Sequence, residues 1–346
     1  MIMDNVRSSN LQWFDTANNL LREIDASITS ISVNYSMDMC AQLTVQVHDP
    51  NFELTKANYF SVTRNVKYQS FAIQDFGASA TQTPNDATIK RLTQTFEIAA
   101  AQVAAGPGVS PIWTLELRTK AIQQMKRDRS PGTIKGSNAD FARNAADKYG
   151  LLYYMQNTQK NKQITKASSQ NRGDSTWDVI SRLASDAKFV TFETNGYLVF
   201  CSQKFLLGKW GINNGAFDYI DPQTNKLGKV NFNYIPVTWP RVESDVIQLL
   251  TLPSMRTSDN DPLEATGSIV VDRLNGTSLR PGMTIRLQGI PTFEKFYLIS
   301  AVTYDHFGTD PVQVELRTPE REEKNILEYV VGAPSASSGA ITLVGE

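Results

Sequence analysis

Asn195-Gly196 is the tightest local constraint in this chain. An Asn-Gly pair accepts the left-handed backbone that a two-residue hairpin turn demands. Apolar arms flank it, Phe189-Val190-Thr191-Phe192 before and Tyr197-Leu198-Val199-Phe200 after. Immediately upstream, Ser175 to Ala187 has helical periodicity, with Trp177, Ile180, Leu183, Ala184 and Ala187 on one stripe. Ser175 with Asp178 makes an approximate capping box in which Asp replaces the usual Glu. An earlier helix has Ser137 as cap, Phe141, Ala142, Ala145, Ala146 and Tyr149 on one face, and Gly150 as a left-handed exit. Two capped helices and a hairpin therefore define a mixed α/β segment in the middle of the chain.

Both flanks are rich in strands. On the amino side, Ile28, Ser30, Val33 and Tyr35, then Leu43, Val45 and Val47, favour β structure. Met37-Asp38-Met39 connects them, and Asp49-Pro50-Asn51 closes the second, because proline cannot donate to a ladder. Tyr59–Val66 and Tyr68–Asp75 repeat the theme. Gly77–Ala87 is a polar loop, Arg91–Ala101 a strand, Ala104–Pro111 a second loop, and Ile112–Arg118 a strand. Thr119–Asp128 forms a short helix on Ala121, Ile122 and Met125, and Met155–Arg172 a polar hairpin or loop. On the carboxyl side, Leu206–Gly228 is loop-rich and contains the expected domain join. Strands follow at Val230–Ile235, Val242–Leu250, Thr266–Asp272, after the Pro281-Gly282 turn, at Phe296–Tyr304 and at Val312–Arg317. Arg256–Glu264 is a polar loop, and Glu320–Val331 a charged stretch suited to a short helix. Ala333–Gly345 is rich in Ser, Ala and Gly and reads as a tail that needs a neighbour to be ordered. Strands at this spacing, with few helices between them, predict a barrel or sandwich.

A chain of 346 residues predicts two or three domains. We divide it into a first β domain over 1–120, a middle α/β domain over 121–205, a second β domain over 206–330 and a tail over 331–346. The 34 Lys+Arg nearly cancel the 35 Asp+Glu, so no overall field draws the chain to nucleic acid or to an anionic membrane. Met1–Asn10 has no apolar h-region, and Ile98–Pro111, the longest uncharged apolar run, is too short to span a bilayer. The expected molecule is soluble in its free form and made in the cytoplasm.

Candidate chemistry is sparse. Cys40 and Cys201 sit in apolar runs and read as buried thiols, and two cysteines with two histidines do not make a structural zinc site at the usual spacings. His48 and His306 read as strand-end residues, with no nucleophile motif beside either. Asp186 with Glu193, or Asp259 with Asp261, are carboxylate pairs that a hydrolase could use across a sugar cleft. Asp259-Asn260-Asp261 also has the acidity calcium favours, without the glycine and closing glutamate of a twelve-residue calcium loop. Lys126-Arg127-Asp128-Arg129 reads as a solvated helix end rather than a phosphate patch, since no aromatics interleave. No catalytic, cofactor-binding or metal-ligating residue is assigned, and no cofactor is expected.

The segment Gly173 to Ala184, followed by the hairpin ending Tyr197-Leu198-Val199-Phe200, resembles a motif of phage tail baseplate hub proteins. That group includes the late-control tail proteins of contractile phages and related contractile injection systems. The upstream helix ending Lys148-Tyr149-Gly150-Leu151 is similar to the family's preceding helix. Leu279 to Ile285 with Tyr297 to His306 resembles its final barrel. The likeness runs in order from about Ile28 to Arg317, and Lys188-Phe189 stands where the family often has glycine. The resemblance implies an α+β, mainly β fold with two tube-like antiparallel β-barrel domains around a small α/β middle domain. It also implies a homotrimeric, non-enzymatic ring that joins a six-fold tail tube to a three-fold spike or fibre, with a lumen for DNA or effector passage. The implied partners are a tail tube or distal tail protein, a spike or central fibre protein, a tape-measure protein, and DNA as transient cargo. The implied location is the virion, at the tail tip or baseplate, after assembly in the host cytoplasm. The alternative is a tail-associated cell-wall hydrolase or carbohydrate-binding module.

Overall fold

The computed structural model describes residues 11–14, 20–21, 24, 27–73, 89–106, 109–130, 132–156, 162–166, 173–211, 213–220, 227–240, 247–257 and 265–319. The amino-terminal segment 1–10, the expected polar loop at 77–87, the acidic loop at 259–261, the charged stretch at 320–331 and the tail at 331–346 lie outside these residues. In chain order the first elements are β1 (Leu11–Phe14), β2 (Leu20–Leu21), β3 (Ile28–Ser36), β4 (Gln42–His48), α1 (Glu53–Lys56), β5 (Asn65–Ile73), β6 (Ile89–Gly106) and β7 (Val109–Thr119). Next come α2 (Lys120–Arg127), β8 (Gly132–Gly136), α3 (Asn138–Lys148), β9 (Leu152–Met155), β10 (Lys162–Lys166), α4 (Thr176–Asp186), β11 (Val190–Thr194) and β12 (Tyr197–Cys201). The remainder is α5 (Gln203–Leu206), β13 (Asn213–Ile220), β14 (Leu227–Thr238), β15 (Ile247–Gln248), β16 (Ser254–Thr257), β17 (Ala265–Val271), α6 (Arg273–Gly276), β18 (Thr284–Gln288), β19 (Phe296–Asp305) and β20 (Val312–Arg317). The fold is α+β and mainly β. The chain forms two compact units, the first from Met1–Phe71, Arg91–Phe200 and Thr303–Asp310, the second from Ala72–Lys90, Cys201–Val302 and Pro311–Glu346.

In the first unit the strands run β3-β4-β7-β6-β5-β1-β2. β4 lies between β3 and β7, with Val45 opposite both Ile31 and Leu115. Leu43, Val45 and Val47 are fully buried while Gln46 is exposed, which is the alternation of a sheet covered on one face. β5 is a single strand. Tyr59 and Phe60, expected within a strand, are buried from the turn after α1, where Phe60 stacks on Trp113 at 5.0 Å. Two buried aromatics there imitate strand alternation.

The expected loop at Ala104–Pro111 is narrower than the sequence suggests. β6 continues to Gly106 and β7 starts at Val109, with Val103 opposite Trp113. Gly and Pro mark the turn, but runs of alanine beside them give no period for a strand to show. β8, and β10 within the stretch expected to be a polar hairpin or loop, pair antiparallel with Ile134 opposite Ile164. Each carries only that one large apolar residue, too few for a pattern.

The helical layer follows the sequence closely. Ser137 with Asp140 and Ser175 with Asp178 form reciprocal capping boxes at α3 and α4. Gly150 is left-handed at φ 70°, and Asn195 and Gly196 turn the β11–β12 hairpin at φ 49° and 81°. β9 joins β12 in parallel. Ile122, Phe141, Trp177, Ile180 and Phe200 meet in one core.

In the second unit the path is β16-β17-β20-β19-β18-β14-β13, with β15 on the end of β14. β14 and β18 run parallel, Ile235 opposite Ile285. The expected loop at Leu206–Gly228 contains β13, which pairs with β14 from Asn213↔Tyr234 to Ile220↔Leu227. Glycine there serves close approach as well as turning: a Cβ on Gly211 would lie 2.3 Å from the Tyr234 nitrogen. Of the expected strand at Val242–Leu250, Ile247–Gln248 forms β15, Leu249 bridges Val271, and residues 241–246 lie outside the described residues.

Lys188 occupies the left-handed region at φ 55°. A side chain costs about 1 kcal/mol in this conformation. Lys188→Gly is expected to raise stability by about 0.5–1 kcal/mol, read as a higher midpoint in urea unfolding with an unchanged slope. A lower midpoint would contradict the strain.

Candidate functional site

The basic run at the end of α2 contains a junction as well as exposed cations. Asp128, its one acidic member, accepts five hydrogen bonds. Oδ2 receives Lys148 Nζ at 2.8 Å, the Tyr149 hydroxyl at 2.6 Å and the Thr176 hydroxyl at 2.8 Å. Oδ1 receives the Ser130 backbone N–H at 3.0 Å and the Ser130 hydroxyl at 2.5 Å. The Asp128 carbonyl also accepts the Thr176 N–H at 2.9 Å. One carboxylate thus ties the end of α2 to the end of α3 and the start of α4. Burial opposes its ionisation, but the donors from Lys148, Ser130 and Tyr149 outweigh that and hold the acid far below the usual carboxylate range. Arg127 makes a bidentate pair with the buried Glu97, and Arg129 donates to the Gly173 carbonyl. Lys126 is part-buried, while Arg127 and Arg129 remain exposed.

Glu193, read as one of a carboxylate pair, is 1% exposed and points inward. It accepts the Thr119 hydroxyl at 2.7 Å, the Gly196 N–H at 2.8 Å and Gln94 Nε2 at 3.3 Å. Its own N–H donates to the Met39 carbonyl at 2.7 Å. It fastens the β11–β12 hairpin to β6, β7 and the β3–β4 turn. Asp186 lies exposed at the end of α4, so the two are placed for different environments. Asp259 and Asp261 lie outside the described residues.

His48 ends β4 opposite Ile112. His306 shares a 2.9 Å hydrogen bond with the buried Tyr68 hydroxyl, and its backbone N–H donates to the Ile31 carbonyl. Cys40 and Cys201 are free and buried, and burial pushes the Cys40 thiol up to about 12 and raises Cys201 as well. Among the described residues no three His, Cys, Asp or Glu side chains gather as metal ligands. No helix of the described residues is long and apolar enough to cross a membrane.

The surface feature that stands out is the distal half of the β6–β7 hairpin. From Ala99 to Gly106, β6 carries no charge, and residues 102–106 are exposed, Val103 at 46%. Thr63 N–H donates to the Ile98 carbonyl, and Ile98 N–H to that of Arg64. Beyond that point α1 and its turns precede Arg64, so past Ile98 only β7 pairs with β6 among the described residues. Val62 and Phe52 are also exposed, and Phe52 holds the left-handed region at φ 56°. Phe52 is a bulky residue in a costly conformation, held by the buried Asp49, which accepts the N–H groups of Leu54 and Thr55. An uncharged strand with one open edge is a template for pairing with another chain.

No family model and no curated protein matches the sequence. Solved structures similar to it include a tail protein from Neisseria meningitidis, at 12% identity and a TM-score of 0.49 over 90% of this chain and 96% of that one. A prophage MuSo2 43 kDa tail protein from Shewanella oneidensis is similar at 10% identity and 0.47, over 89% and 97%. An Escherichia coli component of the type VI secretion system is similar at 11% identity and 0.47, over 86% and 74%.

The sequence pointed to the region of Asp128 but not to its role. Its donors lie 20, 21 and 48 residues away, beyond any local motif. Asp128→Asn is expected to lose about 1–2 kcal/mol at pH 7, since a neutral amide pairs less well with an ammonium and hydroxyl donors. The folded acid is depressed, so its contribution is present above the unfolded value of about 4 and fades as pH falls below it. Urea unfolding of parent and variant at pH 7 and pH 3 should show the difference shrinking at the lower pH; a constant difference would contradict the assignment.

Proposed function

We propose that this chain is a structural, non-enzymatic hub of a phage tail tip or baseplate, or of a related contractile injection device. In this reading three copies form a ring that adapts a six-fold tail tube to a three-fold spike or fibre. The mainly-β parts of the two units serve as tube-like barrel domains, and the helical layer is the joint beside them. A central lumen passes DNA or effector as transient cargo. The partners are a tail tube or distal tail protein, a spike or central fibre protein and a tape-measure protein, and the place of action is the virion tail after assembly in the host cytoplasm.

The observation that carries the reading is the uncharged, open-edged β6–β7 arm. A ring needs a surface on each copy that accepts a different surface of the next, and apolar strand edges supply affinity without charge. The ordered motif resemblance across the chain agrees with it. Of the carboxylates and histidines that a hydrolase could use, Glu193 accepts from three donors and His306 pairs with Tyr68.

Mass photometry of the purified chain, alone and with tube and spike proteins, tests the ring. A trimer in either condition is expected, and a stable monomer in both overturns it. Val103→Glu places a charge on the arm without touching the core. It is expected to weaken assembly by about tenfold or more, with circular dichroism and thermal midpoint unchanged. Unaltered assembly would remove the arm from the interface.

A further inference from the structure

Asparagine followed by glycine is prone to spontaneous ring closure, because glycine has no side chain to shield its nitrogen from the asparagine carboxamide. The chain has three such pairs, Asn195-Gly196, Asn214-Gly215 and Asn275-Gly276. The residue after the asparagine is the main local influence on this reaction, so the three start out alike. Any difference between them is made by the fold.

Two of the pairs are locked. Asn275-Gly276 ends α6, where the Gly276 N–H donates to the Asp272 carbonyl at 2.8 Å and the Asn275 side-chain amide donates to Asp272 Oδ2 at 2.7 Å. Gly276 is buried, and a Cβ on it would lie 2.4 Å from that of Val312, so its peptide has no room to rotate. The backbone of Asn214-Gly215 lies within β13, opposite Asn233 and Phe232 of β14, and turning that peptide breaks the ladder. Asn195-Gly196 differs. It is the turn between β11 and β12, so its peptide lies outside the strands. A Cβ on Gly196 would meet nothing within 4 Å, which leaves the turn space to move. Its nitrogen also faces a carboxylate: the Gly196 N–H donates to Glu193 Oε1 at 2.8 Å.

We propose that Asn195 is a site of spontaneous covalent modification, in which Glu193 takes the proton from the Gly196 nitrogen as that nitrogen closes a ring on the Asn195 carboxamide. A base at hydrogen-bond distance from the proton it removes is the geometry such a step needs. The bond from the Gly196 nitrogen to Asn195 Cγ forms, and the Cγ–Nδ2 bond breaks. Glu193 returns the proton to the departing nitrogen, which leaves as ammonia. Water then opens the succinimide at either carbonyl, giving aspartate or isoaspartate at position 195. The succinimide nitrogen carries no hydrogen, so Glu193 loses one of the donors that fasten the hairpin. Isoaspartate puts the Cβ of residue 195 into the backbone and lengthens the turn. The inference does not depend on ring formation.

Mass spectrometry of peptides from the full chain, incubated at mildly alkaline pH, tests it. In the folded protein Asn195 is expected to convert about tenfold faster than Asn214 and Asn275, which need local opening first. In urea the three rates should converge. Glu193→Gln keeps the size of the side chain but does not take the proton. It is expected to lower the Asn195 rate by about tenfold or more, with Asn214 and Asn275 unchanged. An Asn195 rate no higher than the other two in the folded parent overturns the proposal. So does an excess that persists in urea, or an Asn195 rate that Glu193→Gln leaves unaltered. The parent comparison decides even where the variant loosens the fold, which Asn214 and Asn275 would show by rising together.

Discussion

The helical joint rests on one carboxylate. Asp128 closes α2 and receives donors from the ends of two other helices, so three elements converge on two oxygen atoms. Each such bond contributes only about 0.5–1.5 kcal/mol net. Their joint effect is geometric, because a planar carboxylate accepts five donors only when all three helix ends are in place. The apolar core of Ile122, Phe141, Trp177 and Ile180 drives the helices together but is non-directional. The carboxylate selects one arrangement among the many that would bury the same area.

Glu193 does the same for the sheet. It is buried, and donors reach it from β6, from β7 and from its own hairpin turn. The Asn-Gly turn that makes the hairpin therefore also aims a backbone N–H at the glutamate. The joint and the hairpin share this logic: a local motif builds the element, and a buried acid reached from far along the chain places it. That division gives Glu193, read from sequence as one of a carboxylate pair, a part in aligning the hairpin.

Each unit exposes large apolar side chains on strands or at their rims. In the first, Ala99–Gly106 of β6 extends past its last neighbour and carries no charge; in the second, Leu250 and Leu252 line the rim of β16. Such edges are hazards unless another strand covers them.

Much was legible in the sequence wherever the cause is local. Serine caps with aspartate three residues on, a glycine after Tyr149 and an Asn-Gly pair each act over a few residues, and α3, α4 and the β11–β12 hairpin formed as predicted. β4 was legible because one covered face writes a period of two. β13 and the distal parts of β6 and β7 were not, because runs of alanine carry no apolar–polar alternation and glycines around β13 resemble turn signals. The roles of Asp128 and Glu193 were likewise invisible, since their partners lie tens of residues away. Local backbone preference and the alternation of one-sided burial thus determined which elements form. Only tertiary structure decided which acids hold them together and which strand edges are left open, because both depend on contacts between residues that the chain brings together by folding.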